Sequence, residues 1–229
     1  MAVIHHTTLA PSKLELLTSW LPAQPWHLGD GREPELAKVG GFRLDDPEGE
    51  VGIEFMVVTD GSGDQPVTYQ VLLSYRGAPL DGADHALVGT AEHGVLGRRW
   101  IYDGAHDLVV VGQLFALILG ETKAQAQSVS DTPDPSVTGY SAEAGRTAAI
   151  ESTTVNNGPH GTDLLVQVAE TPGLRTRELT IQLRRVLQPN RGHETRALGH
   201  VTAGWLLPDG TKAQDMFAVL LDAASEPRS

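Results

Sequence analysis

The side chains best suited to chemistry are concentrated in residues 72–100, on two neighbouring predicted strands and the loop between them. Arginine binds anions through paired hydrogen bonds, and aromatic rings stack on sugars, so a sheet face lined by these residues would suit a sugar or an anion. The same side chains would equally form cross-strand ion pairs that fix the strand register. The candidate ligand-binding residues are Tyr75, Arg76, His85, Glu92, His93, Arg98, Arg99 and Trp100.

The sequence lacks the motifs of the common catalytic and metal sites. The chain has nine histidines and no cysteine, which excludes disulfides, thiolate zinc sites, iron–sulfur clusters and cysteine nucleophiles. It contains no H-E-x-x-H, G-x-S-x-G or S-x-x-K element, and no glycine-rich loop opens a helix after a strand. We therefore expect no catalytic residue, no metal and no cofactor. If the chain were an enzyme, its acid–base candidates would be Asp103, His106, His85 and Glu92.

Charge and hydropathy restrict the partners. The 17 Lys and Arg against 29 Asp and Glu give a net charge of −12, whereas phosphate binding needs clustered basic residues, so we expect no nucleic-acid partner. The acidic surface would either dock a basic partner or only favour solubility. The longest apolar run, residues 108–119, is too short to span a bilayer, and the amino terminus shows no signal peptide. We expect a cytoplasmic protein without a membrane segment.

Two helices are predicted, one before and one after the candidate binding residues in the chain. Residues 11–21 carry leucines at helical spacing, with Ser12 as the N-cap and prolines at the end. Residues 106–120 form the second, more apolar helix, which Asp107 would cap and Gly120 would end.

The rest of the pattern predicts about nine short strands joined mainly by hairpins. In residues 50–60, apolar and polar positions alternate, which predicts a half-buried strand. Residues 90–102 read as one strand with bulges at Gly94 and Gly97. The other predicted strands are residues 67–75, 148–155, 163–170, 178–187, 199–207 and 212–222.

These elements predict an α+β fold with a curved, mainly antiparallel sheet and two principal helices. The length suits one domain over residues 1–229. A change in composition at residues 121–145, which are rich in Gln, Ser and Pro, predicts an irregular excursion within it.

Within this framework, residues 67–107 resemble the N-terminal cap domain of maltokinases, especially its stand-alone, cap-like actinobacterial homologues. The resemblance rests on the run from Tyr75 through Pro79 to Leu80, on a glycine-rich strand that ends in Tyr102-Asp103-Gly104, and on the helix that begins at Asp107. The opening residues 1–26 are similar to the stand-alone group, and the likeness covers most of the first 135 residues.

The resemblance implies a cap-type α+β domain, often compared with cystatin-like folds. Maltokinases phosphorylate maltose with ATP on the route from trehalose to glycogen, and their cap rests on a separate kinase core. Phosphoryl transfer needs a catalytic base and Mg²⁺ ligands, yet the sequence has no H-G-D-x-H-x-x-N loop and no room for that core, so we do not expect a complete kinase.

The resemblance therefore favours a non-catalytic binding or regulatory module of α-glucan or trehalose metabolism, which meets a protein partner or a sugar. A second hypothesis is a small enzyme, or a binder of a sugar or anion, that uses the concave face of the sheet. A third is a homodimer formed through an edge strand.

Overall fold

A computed structural model of the chain describes residues 9–127, 129, 132–142, 148–170, 176–189 and 196–223. Within these ranges no helix is both long enough and apolar enough to cross a membrane. The two α-helices are α1 (Lys13–Trp20) and α2 (Leu108–Leu119). The strands are β1 (Leu9–Ala10), β2 (Leu36–Leu44), β3 (Gly52–Asp60), β4 (Val67–Arg76), β5 (Leu87–His93), β6 (Gly97–Asp103), β7 (Gln125–Ala126), β8 (Thr138–Ser141), β9 (Ala148–Gly158), β10 (Gly161–Glu170), β11 (Thr176–Leu183), β12 (Val186–Leu187), β13 (Gly199–Leu206) and β14 (Lys212–Asp222).

All described strands belong to one open sheet, in which neighbouring strands are antiparallel. Together with the two helices, this sheet makes an α+β fold that is dominated by its strands. The order along the sheet is β1-β5-β6-β4-β3-β2-β13-β14-β11-β10-β9. Outside this order, β7 pairs with β2, β8 with β13 and β12 with β4. The two halves of the sheet meet where Gly40 on β2 pairs with Trp205 on β13. A Cβ atom at position 40 would lie 2.9 Å from the Trp205 Cβ, so this close approach requires glycine.

Both predicted helices form, and their caps set their ends. Ser12 and Glu15 make a capping box, so α1 begins at Lys13 rather than residue 11. The Asp107 side chain accepts a hydrogen bond from the Val109 N–H, so α2 begins after it. The left-handed conformation of Gly120, with φ of 78°, ends α2 as expected.

The helices cover opposite faces of the sheet, which corrects the prediction of a half-buried strand at residues 50–60. Ile53 and Phe55 of β3 face the larger apolar core around α2. Met56 and Val58 face the smaller core beside α1. Because both faces are covered, β3 is buried at every residue after Gly52 instead of on alternate residues.

Three other segments differ from the sequence-based expectation. Residues 90–102 form the β5–β6 hairpin rather than one bulged strand, and Gly97 takes φ of 68° where the chain turns back. Residues 178–187 are split between β11 and β12, which pair with different strands. Residues 121–145 contain the paired strands β7 and β8, and part of this stretch lies outside the described residues.

Candidate functional site

The candidate binding residues do not share one face of the sheet, which corrects the expected Tyr75/Arg76/Arg98/Arg99 face. On β4, Tyr75 lies opposite Ile101 and Arg76 lies opposite Trp100 of β6. Successive residues of a strand point to opposite faces, so Tyr75 lies on the α1 side and Arg76 on the α2 side. The same alternation separates Arg98 from Arg99 on β6.

Arg76 holds the start of α2. Its guanidinium donates two hydrogen bonds to Asp107, from Nε to Oδ2 at 2.7 Å and from Nη2 to Oδ1 at 2.8 Å. These bonds raise the pKa of Arg76, and Asp107 is fully buried. Because Asp107 also caps α2, the pair fixes the helix to the end of β4 and leaves little of Arg76 for a ligand.

Tyr75 belongs to a buried polar network centred on Glu54 of β3. The Glu54 carboxylate accepts hydrogen bonds from the Tyr75 hydroxyl at 2.6 Å, from Lys13 of α1, and from Gln127 Nε2 at 2.7 Å. Burial raises the pKa of Glu54, but the charge and hydrogen bond of Lys13, the Tyr75 hydrogen bond and the charge of Lys38 outweigh it and lower the pKa overall. The network fastens α1 to the sheet through an ionised carboxylate.

Asp103, an acid–base candidate from the sequence, is bound to an arginine that the sequence analysis missed. Arg185 Nη2 lies 2.8 Å and 2.7 Å from the two Asp103 oxygens, and Arg185 Nε donates to the Thr162 hydroxyl at 2.8 Å. The guanidinium also lies 5.1 Å from the Trp26 ring centre. Arg185 has no exposed surface. This buried pair joins β6 to the carboxy-terminal half of the chain.

His85 and His106, two more acid–base candidates, contact each other. His85 Nε2 and His106 Nδ1 lie 3.1 Å apart, and their rings meet edge to face at 4.6 Å. Burial lowers the pKa of His106, an effect that the neighbouring His85 and Arg185 reinforce and Asp103 opposes. A hydrogen bond between two imidazoles needs at least one neutral ring, which the lowered pKa favours.

The β5–β6 hairpin carries the remaining candidates and has a fixed turn. His93 Nδ1 accepts hydrogen bonds from the backbone N–H groups of Val95 at 3.3 Å and Leu96 at 3.0 Å. Arg99 Nη2 donates to the Leu96 carbonyl at 3.0 Å. Val95 is 62% exposed and Leu96 is 47% exposed, so two apolar side chains are held in solvent at the tip.

The flanks of this hairpin carry its charge. The Arg98 guanidinium lies 5.3 Å above the Trp100 ring centre, a cation–π contact on the α2 side. Glu92 pairs across the hairpin with Arg98 and is exposed.

A cleft of about 530 Å³ lies between the last turn of α1 and the loop that follows it. No sequence pattern predicts this cleft, because its wall comes from an irregular loop with no motif. Residues Thr18, Ser19, Pro22, His27, Gly29, Gly31, Arg32, Glu33 and Pro34 line it.

Comparison with known protein families gives one match. Residues 20–107 match the family described as the maltokinase N-terminal cap domain, a segment that covers less than half of the chain. The chain contains a maltokinase N-terminal cap-like domain. None of the curated proteins matches the chain.

The cap-like segment contains all eight candidate binding residues and most of the cleft wall. It ends at the Asp107 cap, so the pair of Arg76 and Asp107 lies within it. The pair of Asp103 and Arg185 reaches out of it to the rest of the chain. Among the described residues, no group of three or more His, Asp or Glu side chains is placed to hold a metal ion.

Proposed function

We propose that this chain is a non-catalytic, cytoplasmic binding module of α-glucan or trehalose metabolism, which docks a protein partner through the tip of the β5–β6 hairpin. The observation that carries the proposal is the pair of exposed apolar side chains, Val95 and Leu96, held on a turn whose backbone is fixed by His93 and Arg99. The cystatin-like form of the cap and the single domain over residues 1–229 stay predictions within it.

The state of the buried carboxylates supports a non-catalytic role. A general base must reach the substrate proton, and a catalytic acid needs a pKa near the working pH. Asp103 is enclosed with Arg185, Asp107 is bound to Arg76, and the pKa of Glu54 is lowered by its partners. These carboxylates hold elements together, which is a structural use of charge.

The chemistry of the tip defines the partner. Apolar side chains on a turn whose backbone is already held lose less entropy on docking than those on an unconstrained loop, so they suit the centre of an interface. Arg98 and Arg99 flank the tip in a chain whose net charge is −12. A partner with an apolar pocket and an acidic rim fits both features.

The test measures docking to purified enzymes that make or consume maltose, trehalose and maltose 1-phosphate, each immobilised for surface plasmon resonance. We expect the wild-type chain to bind one of them and the double variant Val95→Ser/Leu96→Ser to lose that binding. Leu206→Ser is the matched control, because Leu206 is also 47% exposed but lies on β13. Binding that survives in the hairpin variant contradicts the docking surface, and phosphorylation of maltose by the chain with ATP contradicts the non-catalytic role.

The second hypothesis, a small enzyme or small-molecule binder on the concave sheet face, rests on the His85–His106 contact. A turnover screen with sugars and sugar phosphates would support it if His106→Ala abolished activity without lowering the melting temperature. The face on which α2 lies is covered by α2 and the larger core, which weighs against an open site there.

The homodimer hypothesis places a second copy at an edge strand. In the described part of the chain, β9 ends the sheet with only β10 as its partner. Sedimentation over a range of concentrations tests it, and a monomer at high concentration would exclude it.

A further inference from the structure

We propose that the cleft beside α1 binds a neutral, polyhydroxylated ligand, a pyranose sugar, between the end of α1 and the loop of residues 27–34. This site is separate from the hairpin tip and does not depend on the docking proposal. Its volume of about 530 Å³ lies in the range of small-molecule sites.

The cleft wall offers the mixture of groups that sugar hydroxyls need. Each hydroxyl both donates and accepts, so it is satisfied by a wall that contains donors and acceptors side by side. Thr18 and Ser19 carry hydroxyls on the last turn of α1, and the Ser19 hydroxyl already donates to the Glu15 carbonyl at 3.5 Å. Arg32 carries donors, one of which binds the Ser62 carbonyl, and Glu33 carries acceptors. Pro22 adds an apolar ring against which the C–H groups of a sugar would pack.

One buried polar atom at this wall lacks a partner. The His27 side chain is only 8% exposed, and its Nε2 makes no hydrogen bond. The nearest acidic group is Asp60 Oδ2, at 3.9 Å. This distance is too long for a hydrogen bond, and Nε2 is closed to solvent in the structure as it stands. An oxygen about 2.8 Å from both atoms would bridge them. A ligand hydroxyl there would pair with both, once the backbone of Gly29, which lies against the ring, moves aside.

Asp60 is held in place for this contact. Its Oδ1 accepts hydrogen bonds from the backbone N–H groups of Glu35 at 3.0 Å and Ser62 at 2.9 Å. Burial raises the pKa of Asp60, but these hydrogen bonds and His27 outweigh it and lower the pKa overall. Asp60 therefore presents Oδ2 as a fixed acceptor beside His27.

The charge around the cleft favours a neutral ligand over an anionic one. Arg32 lies 3.2 Å from Asp30 and 3.8 Å from Asp64, so two carboxylates compensate its charge. Glu33 and Asp60 add further negative charge. A phosphate would be repelled by this excess. A polyamine would be attracted, and it is the alternative that the experiment must exclude.

The test is isothermal titration calorimetry of the full chain with maltose, trehalose, maltoheptaose, glucose 1-phosphate and spermidine. We expect a neutral sugar to bind one-to-one. We expect glucose 1-phosphate to bind with an affinity at least about tenfold lower than that of the sugar. Binding of maltoheptaose would show that the cleft accepts the end of a longer glycan, whereas binding of maltose or trehalose alone would show that it accepts only a free disaccharide. Ser19→Trp should fill the cleft and abolish binding, because Ser19 is exposed and lies on its wall. Thr154→Trp, at an exposed position of β9, is the matched control.

A second variant keeps the inference falsifiable if Ser19→Trp lowers stability. His27→Ala should weaken sugar binding by about tenfold, the loss of roughly one good hydrogen bond. Sugar binding that is unchanged in both variants, binding of spermidine instead of sugar, or no binding at all would each overturn the proposal. A crystal structure that shows only a bridging water between His27 and Asp60 at saturating sugar would do the same. None of these results bears on docking at the hairpin.

Discussion

The two faces of the sheet are covered by helices of opposite character. On one face, α2 buries seven of its twelve residues in the larger apolar core. On the other, α1 buries only Leu17 of its eight residues. Beside α1 the sheet holds the charged side chains of Glu54 and Arg185, which have almost no exposed surface.

This difference in composition implies a difference in what each face tolerates. Apolar burial has no direction, so the α2 face is stabilised by area and shape. A buried charge is stable only with its partner in place, because desolvation costs several kcal/mol per ion. We therefore expect substitutions of Glu54 and Arg185 on the α1 face to act through lost partners, and those in the larger apolar core on the α2 face to act through lost volume.

The largest effect should come from breaking the pair of Asp103 and Arg185. Arg185→Met removes the guanidinium and leaves Asp103 buried without its counter-ion, which typically costs about 3–5 kcal/mol of unfolding free energy. Urea denaturation at neutral pH measures the loss.

The double variant Asp103→Leu/Arg185→Met tests the reason for that loss. If an uncompensated charge is responsible, removing both partners should restore much of the stability. If the double variant is as unstable as Arg185→Met alone, the loss comes from packing, and the contrast between the faces disappears.

On the α2 face, Leu114→Ala should lower the unfolding free energy by about 3 kcal/mol through a cavity, since Leu114 has no exposed surface. In contrast to Arg185, no second substitution nearby should restore this loss except one that refills the volume. Leu114→Met, which nearly conserves volume, is the control and should cost less than about 1.5 kcal/mol. Equal losses for Ala and Met would argue against volume as the cause.

The features that the sequence predicted are those that local chemistry decides. Ser12, Asp107 and Gly120 end helices through contacts within a few residues, so their roles could be read from their positions. Glu54 was placed on a solvent face, because alternation along β3 cannot reveal a helix from elsewhere that covers that face. Only the fold brings Lys13 to it.

The candidate site could be predicted only in part for the same reason. The sequence could not assign Tyr75 and Arg76 to separate networks, because that needs the register of β4 against β6. Arg185 lies 82 positions from Asp103 along the chain, and no local pattern connects them. The cleft depends on a loop without periodicity, so no pattern signalled it.

A smaller effect, specific to the α1 face, should appear in the pH dependence of stability. The pKa of Glu54 is lowered in the folded chain, so the folded state binds a proton less readily than the unfolded chain. This contribution is fully present above the ordinary pKa of 4.5 and is lost as the pH falls through the lower folded value. Denaturant titrations at several acidic pH values should show this loss in the wild type. In Glu54→Gln the unfolding free energy should depend less steeply on pH. Glu92→Gln, at an exposed position, should follow the wild type.

The smallest effect should come from the N-cap of α1. Ser12→Ala removes the side chain that accepts the Glu15 N–H bond, which typically costs about 1 kcal/mol. Because Lys13 is the first residue of α1 and binds Glu54, fraying of this turn should also loosen the buried carboxylate. We therefore expect Ser12→Ala and Glu54→Gln to be non-additive in a double-mutant cycle, whereas Ser12→Ala and Leu114→Ala, on opposite faces, should add within about 0.5 kcal/mol. Additivity in both cycles would mean that the cap and the carboxylate act independently, and that the α1 face is not one connected network.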